Sequence, residues 1–297
     1  MNILITGANG FLGSNISNLL SFEHNVFAVS RSFQKLNTSQ LICIRSEMTD
    51  YIVLDEIIKN LKIDTLIHCA WMGGNSSKDI NELWQTENIF HSIELLELCA
   101  KNNIKHFIGF GSSAEYGYQT KKFDENTSCN PDTMYGVSKY CFKSISENYC
   151  KSKNIKHSWV RPVYTYGPND VESRLIPKTI LTLLKNQTLT LNKCSAIIDY
   201  LFVEDFARAI KIIVEEQLEG SYTICSDEET KVKDAVELIY KLIKPDCNLV
   251  FDDTKLETGH PYVCGSSAKL RTMTDWMPEI NFEVGIARTI SYFKKFV

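Results

Sequence analysis

The stretch Thr6-Gly7-Ala8-Asn9-Gly10-Phe11-Leu12-Gly13 follows the apolar run Asn2–Ile5 and precedes apolar residues at helical spacing. Its glycines have the pattern G-x-x-G-x-x-G. Glycine permits a tight turn, lets a ligand approach the backbone and lets a helix pack on a strand. The free N–H groups that begin the helix attract an anion. The stretch therefore predicts a site for the pyrophosphate of a dinucleotide, contacted by Gly7, Asn9, Gly10, Phe11, Leu12 and Gly13.

The sequence around this turn alternates short apolar runs with amphipathic segments, which is typical of a parallel sheet covered on both faces. The predicted strands are Asn2–Ile5, Val26–Ser30, Leu41–Ile44, Thr65–Cys69, His106–Phe110 and His157–Val160. The predicted helices between them are Phe11–Leu20, Val53–Leu61, Glu82–Lys101 and Met134–Cys150. Right-handed crossovers between such strands give an α/β fold with a doubly wound parallel (Rossmann) sheet.

The rhythm of the sequence changes after Arg161-Pro162, where the elements become shorter. We expect Asp199–Val203 and Asp205–Glu216 to form a strand and a helix that return to the main sheet. Helices near Lys231–Lys244 and Phe282–Phe296 would belong to a smaller C-terminal α/β lobe that binds the substrate. The predicted dinucleotide-binding domain is thus 1–165 with 196–217, and the substrate lobe is 166–195 with 218–297.

Composition excludes several classes of protein. The 297 residues include 32 Lys and Arg against 36 Asp and Glu, a net charge of −4 that gives no reason to expect nucleic acid or a membrane as partner. None of the 10 cysteines forms a C-x-x-C pair, so we expect no metal site and a reducing compartment. No apolar stretch reaches the ~18 residues of a membrane span, and the first strand leaves no room for a signal peptide. We expect a cytoplasmic protein.

The end of the second predicted strand indicates which dinucleotide is bound. An acidic residue there would hold the ribose 2′-hydroxyl of NAD. The sequence instead has Ser30-Arg31, whose hydroxyl and guanidinium suit a 2′-phosphate. We therefore predict NADP(H). Because Arg31 could equally be a solvated surface residue, NAD(H) is not excluded.

A tyrosine and a lysine share one face at the start of the helix that follows Asn130-Pro131-Asp132. Tyr135 and Lys139 are four residues apart, so the ammonium would lie near the phenol and lower its pKa. Such a tyrosine can exchange a proton with a sugar hydroxyl while a hydride moves. The spacing Tyr-x-x-x-Lys occurs four times in the chain, and only this pair lies near the carboxyl ends of the predicted strands.

Small and hydroxylated residues end the fifth predicted strand, in Gly109-Phe110-Gly111-Ser112-Ser113-Ala114-Glu115-Tyr116-Gly117. They leave space for a ligand, and a hydroxyl there can bond a reacting oxygen. A serine-rich turn is the alternative interpretation.

Together, Gly7–Gly13, Ser112–Gly117 and Tyr135–Lys139 resemble the extended branch of the short-chain dehydrogenase/reductase superfamily, the NAD-dependent epimerase/dehydratase enzymes that act on nucleotide-activated sugars. The resemblance covers residues 1 to about 205 and implies three catalytic residues. Tyr135 would be the general acid/base, Lys139 would bind the nicotinamide ribose and Ser112 would bond the C4 oxygen. It also implies that the cofactor is lined by His68, Ala70 and Pro162, and near the adenine by Glu47 and Met48.

The departures from the family pattern narrow the chemistry. Dehydratases carry an Asp-Glu pair directly after the catalytic Ser or Thr, where this chain has Ser113 and Ala114. We expect Glu115, one position later, to point elsewhere. The family's arginine before Asp199 is replaced by Ile198, which puts the family's usual contact with the nucleotide diphosphate in doubt. Another cation could replace it, although each available one could equally be a solvated surface charge. Arg174, Lys193 and Arg271 are candidates that the sequence does not separate.

These observations favour an NADPH-dependent reductase of a nucleotide-linked 4-keto-6-deoxy sugar. Two alternatives stay open, an NAD-dependent nucleotide-sugar 4-epimerase, which would use the same three residues, and a non-catalytic dinucleotide sensor. The resemblance also implies a homodimer built through the helices Glu82–Lys101 and Met134–Cys150. The nucleotide base, the sugar and the C4 stereochemistry are not readable from the sequence.

Overall fold

Within residues 1–47, 49–73, 82–257 and 259–297, which the computed structural model describes, seven parallel strands form the central sheet. Their order across the sheet is β11-β6-β5-β4-β1-β2-β3. The strands are β1 Asn2–Thr6, β2 Asn25–Ser30, β3 Ile42–Arg45, β4 Thr65–His68, β5 His106–Phe110, β6 Lys156–Pro162 and β11 Gly220–Ile224. The first six coincide with the predicted strands to within two residues at each end. The prediction of a doubly wound parallel sheet is confirmed.

Helices cover both faces of this sheet. The helices of the main domain are α1 Phe11–Leu20, α2 Tyr51–Ile58, α3 Gln85–Lys101, α4 Met134–Lys153 and α6 Val203–Glu215. One buried apolar cluster joins the sheet to α1 and α6, and a second joins it to α2, α3 and α4. Because helices cover both faces of the sheet, β1, β4 and β5 consist almost entirely of buried residues, most of which are apolar.

Later elements build a separate apolar cluster beside the sheet. They are β7 Tyr164–Tyr166, α5 Leu175–Leu184, β8 Leu189–Leu191, β9 Ile197–Ile198, β10 Tyr200–Phe202, α7 Val232–Ile243, β13 Leu249–Phe251 and α9 Phe282–Phe293. The other late elements are β12 Thr230–Lys231, β14 Tyr262–Val263 and α8 Ala268–Met273, and Leu270 of α8 belongs to the cluster that joins the main sheet to α1 and α6. Small two- and three-stranded sheets pair β10 with β7, β9 with β12 and β14, and β13 with β8.

The structure corrects one part of the predicted organisation. The strand expected at Asp199–Val203 does not enter the main sheet, because β10 pairs in parallel with β7. The seventh strand is β11, which lies within the segment assigned to the substrate lobe and pairs with β6 from Gly220 to Ile224. The helix expected at Asp205–Glu216 does pack on the main domain, since α6 lies against α1.

The strand order reverses beside β1, with β2 and β3 on one side and β4 and β5 on the other. Connections at such a point leave in opposite directions and open a crevice at the carboxyl ends of the strands. No helix in the described ranges is both long and apolar enough to cross a membrane. Nor do His, Cys, Asp and Glu side chains of the described residues gather into a cluster that could hold a metal ion.

Candidate active site

The glycine turn fills the start of this crevice. Gly7 has a φ of +66°, and a Cβ there would lie 2.6 Å from the Ala70 backbone nitrogen. A Cβ on Gly13 would lie 2.3 Å from the Gly7 carbonyl oxygen. No side chain caps α1 at Gly10, so its first N–H groups face the crevice. This close-fitting backbone cradle suits a pyrophosphate, and the residues present fit a bound dinucleotide.

A cavity of about 800 Å³ runs along the carboxyl ends of the strands from this turn. Every predicted site residue in the described part of the chain lines it. They are Gly7, Asn9, Gly10, Phe11, Leu12, Gly13, Ser30, Arg31, Glu47, His68, Ala70, Ser112, Tyr135, Lys139 and Pro162. Met48 lies outside the described residues. The structure thus brings distant parts of the sequence together around one space, and the role of each residue stays a prediction.

The far end of the cavity combines hydroxyl, amide and guanidinium groups at the ends of β2 and β3. Arg31 is exposed at its rim, and Ser30 and Glu47 line it. The Asn9 amide donates to the Ser32 hydroxyl at 3.0 Å, and its oxygen accepts the Lys35 backbone N–H at 2.8 Å. Asn9 therefore ties the glycine turn to the loop that carries Arg31.

Lys139 is buried beneath the opposite end of the cavity. Its ammonium donates to the Phe110 carbonyl at 2.8 Å and lies 3.7 Å from the centre of the Trp71 ring. Burial lowers the pKa of Lys139 from 10.5 to about 7, although the Glu115 carboxylate opposes this shift. The amine is therefore poised to change charge near neutral pH.

Tyr135 lies one helical turn before Lys139 at the beginning of α4, and its ring centre is 5.8 Å from the Lys139 ammonium. Burial raises the pKa of Tyr135 to about 12, and hydrogen bonding with Ser112 opposes the rise. The expectation that Lys139 lowers the phenol pKa is not met. Desolvation of the phenolate dominates, and the ammonium is directed at the Phe110 carbonyl instead. The structure therefore keeps Tyr135 protonated, as a proton donor requires.

His68 supports the cavity wall without carrying charge. Its Nδ1 is 2.7 Å from the Thr6 hydroxyl, and its Nε2 is 2.9 Å from the Ser92 hydroxyl. Burial, together with the charge of Lys139, lowers the pKa of His68 to about 3. The neutral ring thus joins β1, β4 and α3.

The expectation that Glu115 points away from the cavity is confirmed. Its carboxylate is fully buried and accepts from the Arg161 guanidinium at 2.8 Å and from the Trp159 indole at 3.0 Å. Ser113 and Ala114, which follow the cavity residue Ser112, carry no carboxylate.

Of the three cations considered for a diphosphate, only Arg174 lines the cavity. Its guanidinium lies 4.8 Å from the Tyr164 ring centre and 3.0 Å from the Asp170 carboxylate. Lys193 instead pairs with Glu257 at 3.4 Å, and Arg271 with Asp227 at 2.7 Å. The fold therefore separates candidates that the sequence left equal.

Trp71 is the site residue that sequence reasoning missed. It lines the cavity, packs edge-on against Tyr135 with ring centres 6.5 Å apart, and covers Lys139. Its indole N–H donates to Gln85 at 2.9 Å, which fixes the ring. The only sequence signal was its position three residues after the predicted wall residue His68.

Comparisons with known proteins agree with this geometry. The model of the NAD dependent epimerase/dehydratase family matches residues 3–225. A trifunctional UDP-glucose 4,6-dehydratase/UDP-4-keto-6-deoxy-D-glucose 3,5-epimerase/UDP-4-keto-L-rhamnose-reductase of Arabidopsis thaliana is 25% identical over 98% of this chain. The chain spans 47% of the length of that relative.

Two further proteins match this chain along nearly all of their own length. CDP-abequose synthase of Salmonella typhimurium is 24% identical over 96% of this chain and 95% of its own. The solved structure of UDP-glucose 4-epimerase from Thermotoga maritima, with UDP-glucose, has a TM-score of 0.90. It covers 100% of this chain and 99% of its own at 22% identity, which shows a shared fold.

Proposed function

The chain belongs to the NAD dependent epimerase/dehydratase family, and on that premise we propose that it is an NADPH-dependent reductase of a nucleotide-linked 4-keto-6-deoxy sugar. One observation carries the proposal. Ser112, Tyr135 and Lys139 meet at a single cavity, while positions 113 and 114 lack the carboxylates that dehydration requires.

In the proposed mechanism Tyr135 and Ser112 act on the C4 oxygen of the substrate, and Lys139 acts on the cofactor and on Tyr135. The residues that line the cavity would hold a nicotinamide dinucleotide, which would be the source of the hydride for the C4 carbonyl carbon. The Tyr135 phenol, which burial keeps protonated, delivers its proton to the C4 oxygen. The Ser112 hydroxyl donates a hydrogen bond to the same oxygen and stabilises the developing alkoxide. Lys139 would hold the nicotinamide ribose and balance the charge on Tyr135 as the proton leaves.

The choice of NADPH rests on the end of β2. Ser30 and Arg31 line the cavity where NAD-specific enzymes of this fold commonly place an acidic residue. An arginine is a strong partner for a 2′-phosphate because its planar donors match the phosphate oxygens. Arg31 would then contribute to the affinity for NADPH and not to that for NADH.

Arg174 is our candidate for the substrate diphosphate. It projects from the residue before α5 into the cavity, and the carbonyl of Thr165 and the carboxylate of Asp170 hold its Nη1 at 3.2 Å and 3.0 Å. The guanidinium also contacts the Tyr164 side chain, with 4.8 Å from its carbon to the ring centre. A planar guanidinium fixed in this way could replace the arginine that the family places before Asp199.

Turnover by the Tyr135→Phe variant tests the assignment. The phenylalanine keeps the ring that packs against Trp71 and removes the proton donor. We expect kcat to fall ~100-fold or more, with the NADPH Kd unchanged. If the wild type is active and Tyr135→Phe is equally fast, the role of Tyr135 is refuted. If the wild type binds NADPH but reduces no substrate, the non-catalytic sensor is supported instead.

A 4-epimerase is the second candidate, favoured by the likeness to the Thermotoga maritima enzyme along the whole chain. Net oxidation of NADPH separates the two activities, because an epimerase returns the hydride to its substrate. The experiment is a panel of dTDP-, CDP-, GDP- and UDP-linked 4-keto-6-deoxyhexoses, with product stereochemistry determined by NMR. UDP-glucose is assayed beside the panel, because an epimerase can invert its C4 hydroxyl.

A homodimer is also proposed, through α3 and α4. These helices pack side by side and expose Phe90, Val137 and Tyr140 at 61%, 43% and 38%. Light scattering should show twice the monomer mass. The cytoplasmic location stays a prediction.

A further inference from the structure

We propose that Glu115 and Arg161 form a positioning pair, which holds the Ser112 hydroxyl against the Tyr135 phenol. Both residues are buried, and their side chains lie outside the cavity and do not contact a substrate there. This inference rests on the proposed function, since it explains how Ser112 is presented for the reaction.

The Glu115 carboxylate makes its contacts within one short turn and the neighbouring strand. One oxygen accepts the Ser112 backbone N–H at 3.0 Å and the Trp159 indole N–H at 3.0 Å. The other accepts the Arg161 Nε–H at 2.8 Å. The backbone of Ser112 is thereby bound to β6 through a side chain that is itself fixed at several atoms.

The same turn orients the Ser112 hydroxyl. The Ser112 oxygen accepts the Ala114 backbone N–H at 3.2 Å, which completes a reciprocal capping box with Glu115. Because that contact uses a lone pair, the hydroxyl hydrogen stays free to donate toward Tyr135 or a C4 oxygen. The Ala114 N–H thus fixes the Ser112 oxygen on one side, and the hydroxyl hydrogen can still turn toward the active site.

The glycines around the turn leave room for this arrangement. A Cβ on Gly111 would lie 2.0 Å from a Glu115 carboxylate oxygen. A Cβ on Gly136 would lie 2.4 Å from the Ala114 carbonyl oxygen, so the start of α4 docks directly on the turn. Ser112 and Tyr135 are therefore held by elements in direct contact, and a displaced Glu115 would move one relative to the other.

Arg161 anchors the carboxylate from the opposite side. Its Nη1 donates to the Tyr116 hydroxyl at 3.3 Å, and that hydroxyl is 2.9 Å from the Thr223 hydroxyl on β11. Burying two charges costs more than burying apolar side chains of the same size. We infer that the Glu115–Arg161 pair offsets this cost by providing a rigid acceptor for the N–H groups of Ser112 and Trp159.

The pair also acts on the charges of the active site. The Glu115 carboxylate raises the pKa of Tyr135, as burial does, and raises the pKa of Lys139 against the larger effect of burial. Tyr135 is also faced by Ser112, Arg174 and the Lys139 ammonium. Lys139 is also faced by Cys69, the Phe110 carbonyl and the Trp71 ring. Arg161 is also faced by Tyr116, Cys129 and the Glu147 carboxylate. Removing Glu115 alone should therefore lower the pKa of Lys139 further.

Two charge-neutral double variants test the positioning role. Glu115→Gln/Arg161→Met keeps an acceptor for the Ser112 N–H, and Glu115→Leu/Arg161→Met removes it. With NADPH and the sugar of the panel that the wild type reduces fastest, we expect the second variant to have a kcat ~10- to 100-fold below the first, at similar KM. Equal kcat values in two folded variants would overturn the proposal.

Asp205→Asn is the matched control. It removes another fully buried carboxylate that pairs with an arginine, Arg208, and that accepts the Ile280 backbone N–H at 3.0 Å. Asp205 does not line the active-site cavity. The control should lose thermal stability without a selective loss of kcat. If kcat also falls in Asp205→Asn at unchanged KM, the loss of a buried ion pair alone would explain the lower kcat of the Glu115 variants, and the positioning role would be refuted.

A second measurement needs no substrate. Hydrogen exchange of the Ser112 amide is read in the wild type, in Glu115→Gln/Arg161→Met and in Glu115→Asp, whose shorter side chain retains the charge. We expect exchange to be faster in Glu115→Asp than in the other two proteins. Equal exchange in all three would overturn the proposal, even if Glu115→Leu/Arg161→Met does not fold.

NMR titration of isotope-labelled lysine side chains, assigned by loss of the signal in Lys139→Met, completes the test. Glu115→Gln should lower the titration midpoint of Lys139, because it removes the carboxylate that favours the charged amine. An unchanged midpoint in Glu115→Gln would refute the contact of the pair with the site. If the wild type reduces no sugar of the panel while these results hold, the proposed function fails and the positioning pair does not.

Discussion

Replacing Lys139 with methionine should remove a pH dependence of stability that this buried amine imposes on the protein. The side chain is 5% exposed, and burial lowers its pKa from 10.5 to about 7. Methionine has a similar length and carries no charge, so the variant keeps the packing against Trp71 and loses the titration.

The direction in which stability changes with pH follows from whether the folded or the unfolded chain binds the proton of Lys139 more tightly. Below about pH 7 both the folded and the unfolded chain hold the proton on Lys139, so the folded state carries the full cost of burying the charge. Between about 7 and 10.5 the unfolded chain binds more protons, and the free energy of unfolding therefore rises with pH. At about 1.4 kcal/mol per pH unit, the whole interval is worth about 5 kcal/mol.

The assay is urea unfolding of the wild type and of Lys139→Met at several pH values between about 6 and about 9. The wild-type free energy of unfolding, minus that of the variant, should increase by about 2 kcal/mol between about pH 7 and about pH 9, because the folded amine is still half protonated at about pH 7. Lys151→Met, which replaces an exposed lysine on the same helix, is the control and should give a flat difference. A flat or falling difference for Lys139→Met would refute the assignment of a charged, desolvated amine at this position.

Three further substitutions probe the rest of the cavity. In Gly13→Ala the new Cβ would lie 2.3 Å from the Gly7 carbonyl oxygen, so NADPH binding followed by fluorescence should be lost and the free energy of unfolding should fall by about 1–3 kcal/mol; normal binding would contradict the cradle. Arg31→Ala should weaken NADPH binding ~10-fold or more and leave the NADH Kd unchanged, since only NADPH carries the 2′-phosphate; equal effects on both would favour NAD(H). Arg174→Met should raise the KM for the nucleotide sugar ~10-fold or more with the NADPH Kd unchanged, and Lys193→Met serves as its control; a normal KM would exclude Arg174 as the diphosphate ligand.

The parts of the site that the sequence predicted are those encoded by short stretches of chain. Gly7 to Gly13 carries the turn, the helix start and the close backbone approach within eight residues of an apolar strand. Tyr135 and Lys139 lie four residues apart on one helix, so their shared face follows from helical geometry. Such features need no knowledge of what lies across the fold.

The features that the sequence did not predict depend on contacts between distant segments. Arg174 is distinguished from Lys193 and Arg271 only because the fold turns the start of α5 toward the cavity. Trp71 is a site residue because it contacts Lys139, which lies 68 positions later in the chain and has its ammonium 3.7 Å from the ring centre. The pairing of Glu115 with Arg161 likewise joins residues from two different strand ends.

The wrong strand assignment has a similar origin. The segment Tyr200–Phe202 is fully buried and apolar, as a strand of the main sheet would be. It pairs with Tyr164–Tyr166 instead, and apolar character does not reveal the pairing partner. The pKa of Tyr135 was mispredicted because spacing showed the nearby cation but not the depth of burial, which has the larger effect.

The most direct test of the proposed reduction is its stoichiometry. Wild-type protein is mixed with NADPH and each nucleotide-linked 4-keto-6-deoxyhexose of the panel, and cofactor oxidation is compared with the product formed, alongside Tyr135→Phe. We predict that one NADPH is oxidised for each C4 ketone reduced to an alcohol, and that Tyr135→Phe loses this turnover while it still binds NADPH. Inversion at C4 of a nucleotide-linked 4-hydroxy sugar such as UDP-glucose with no NADPH oxidised by any ketone of the panel, or turnover that survives in Tyr135→Phe, would contradict the account.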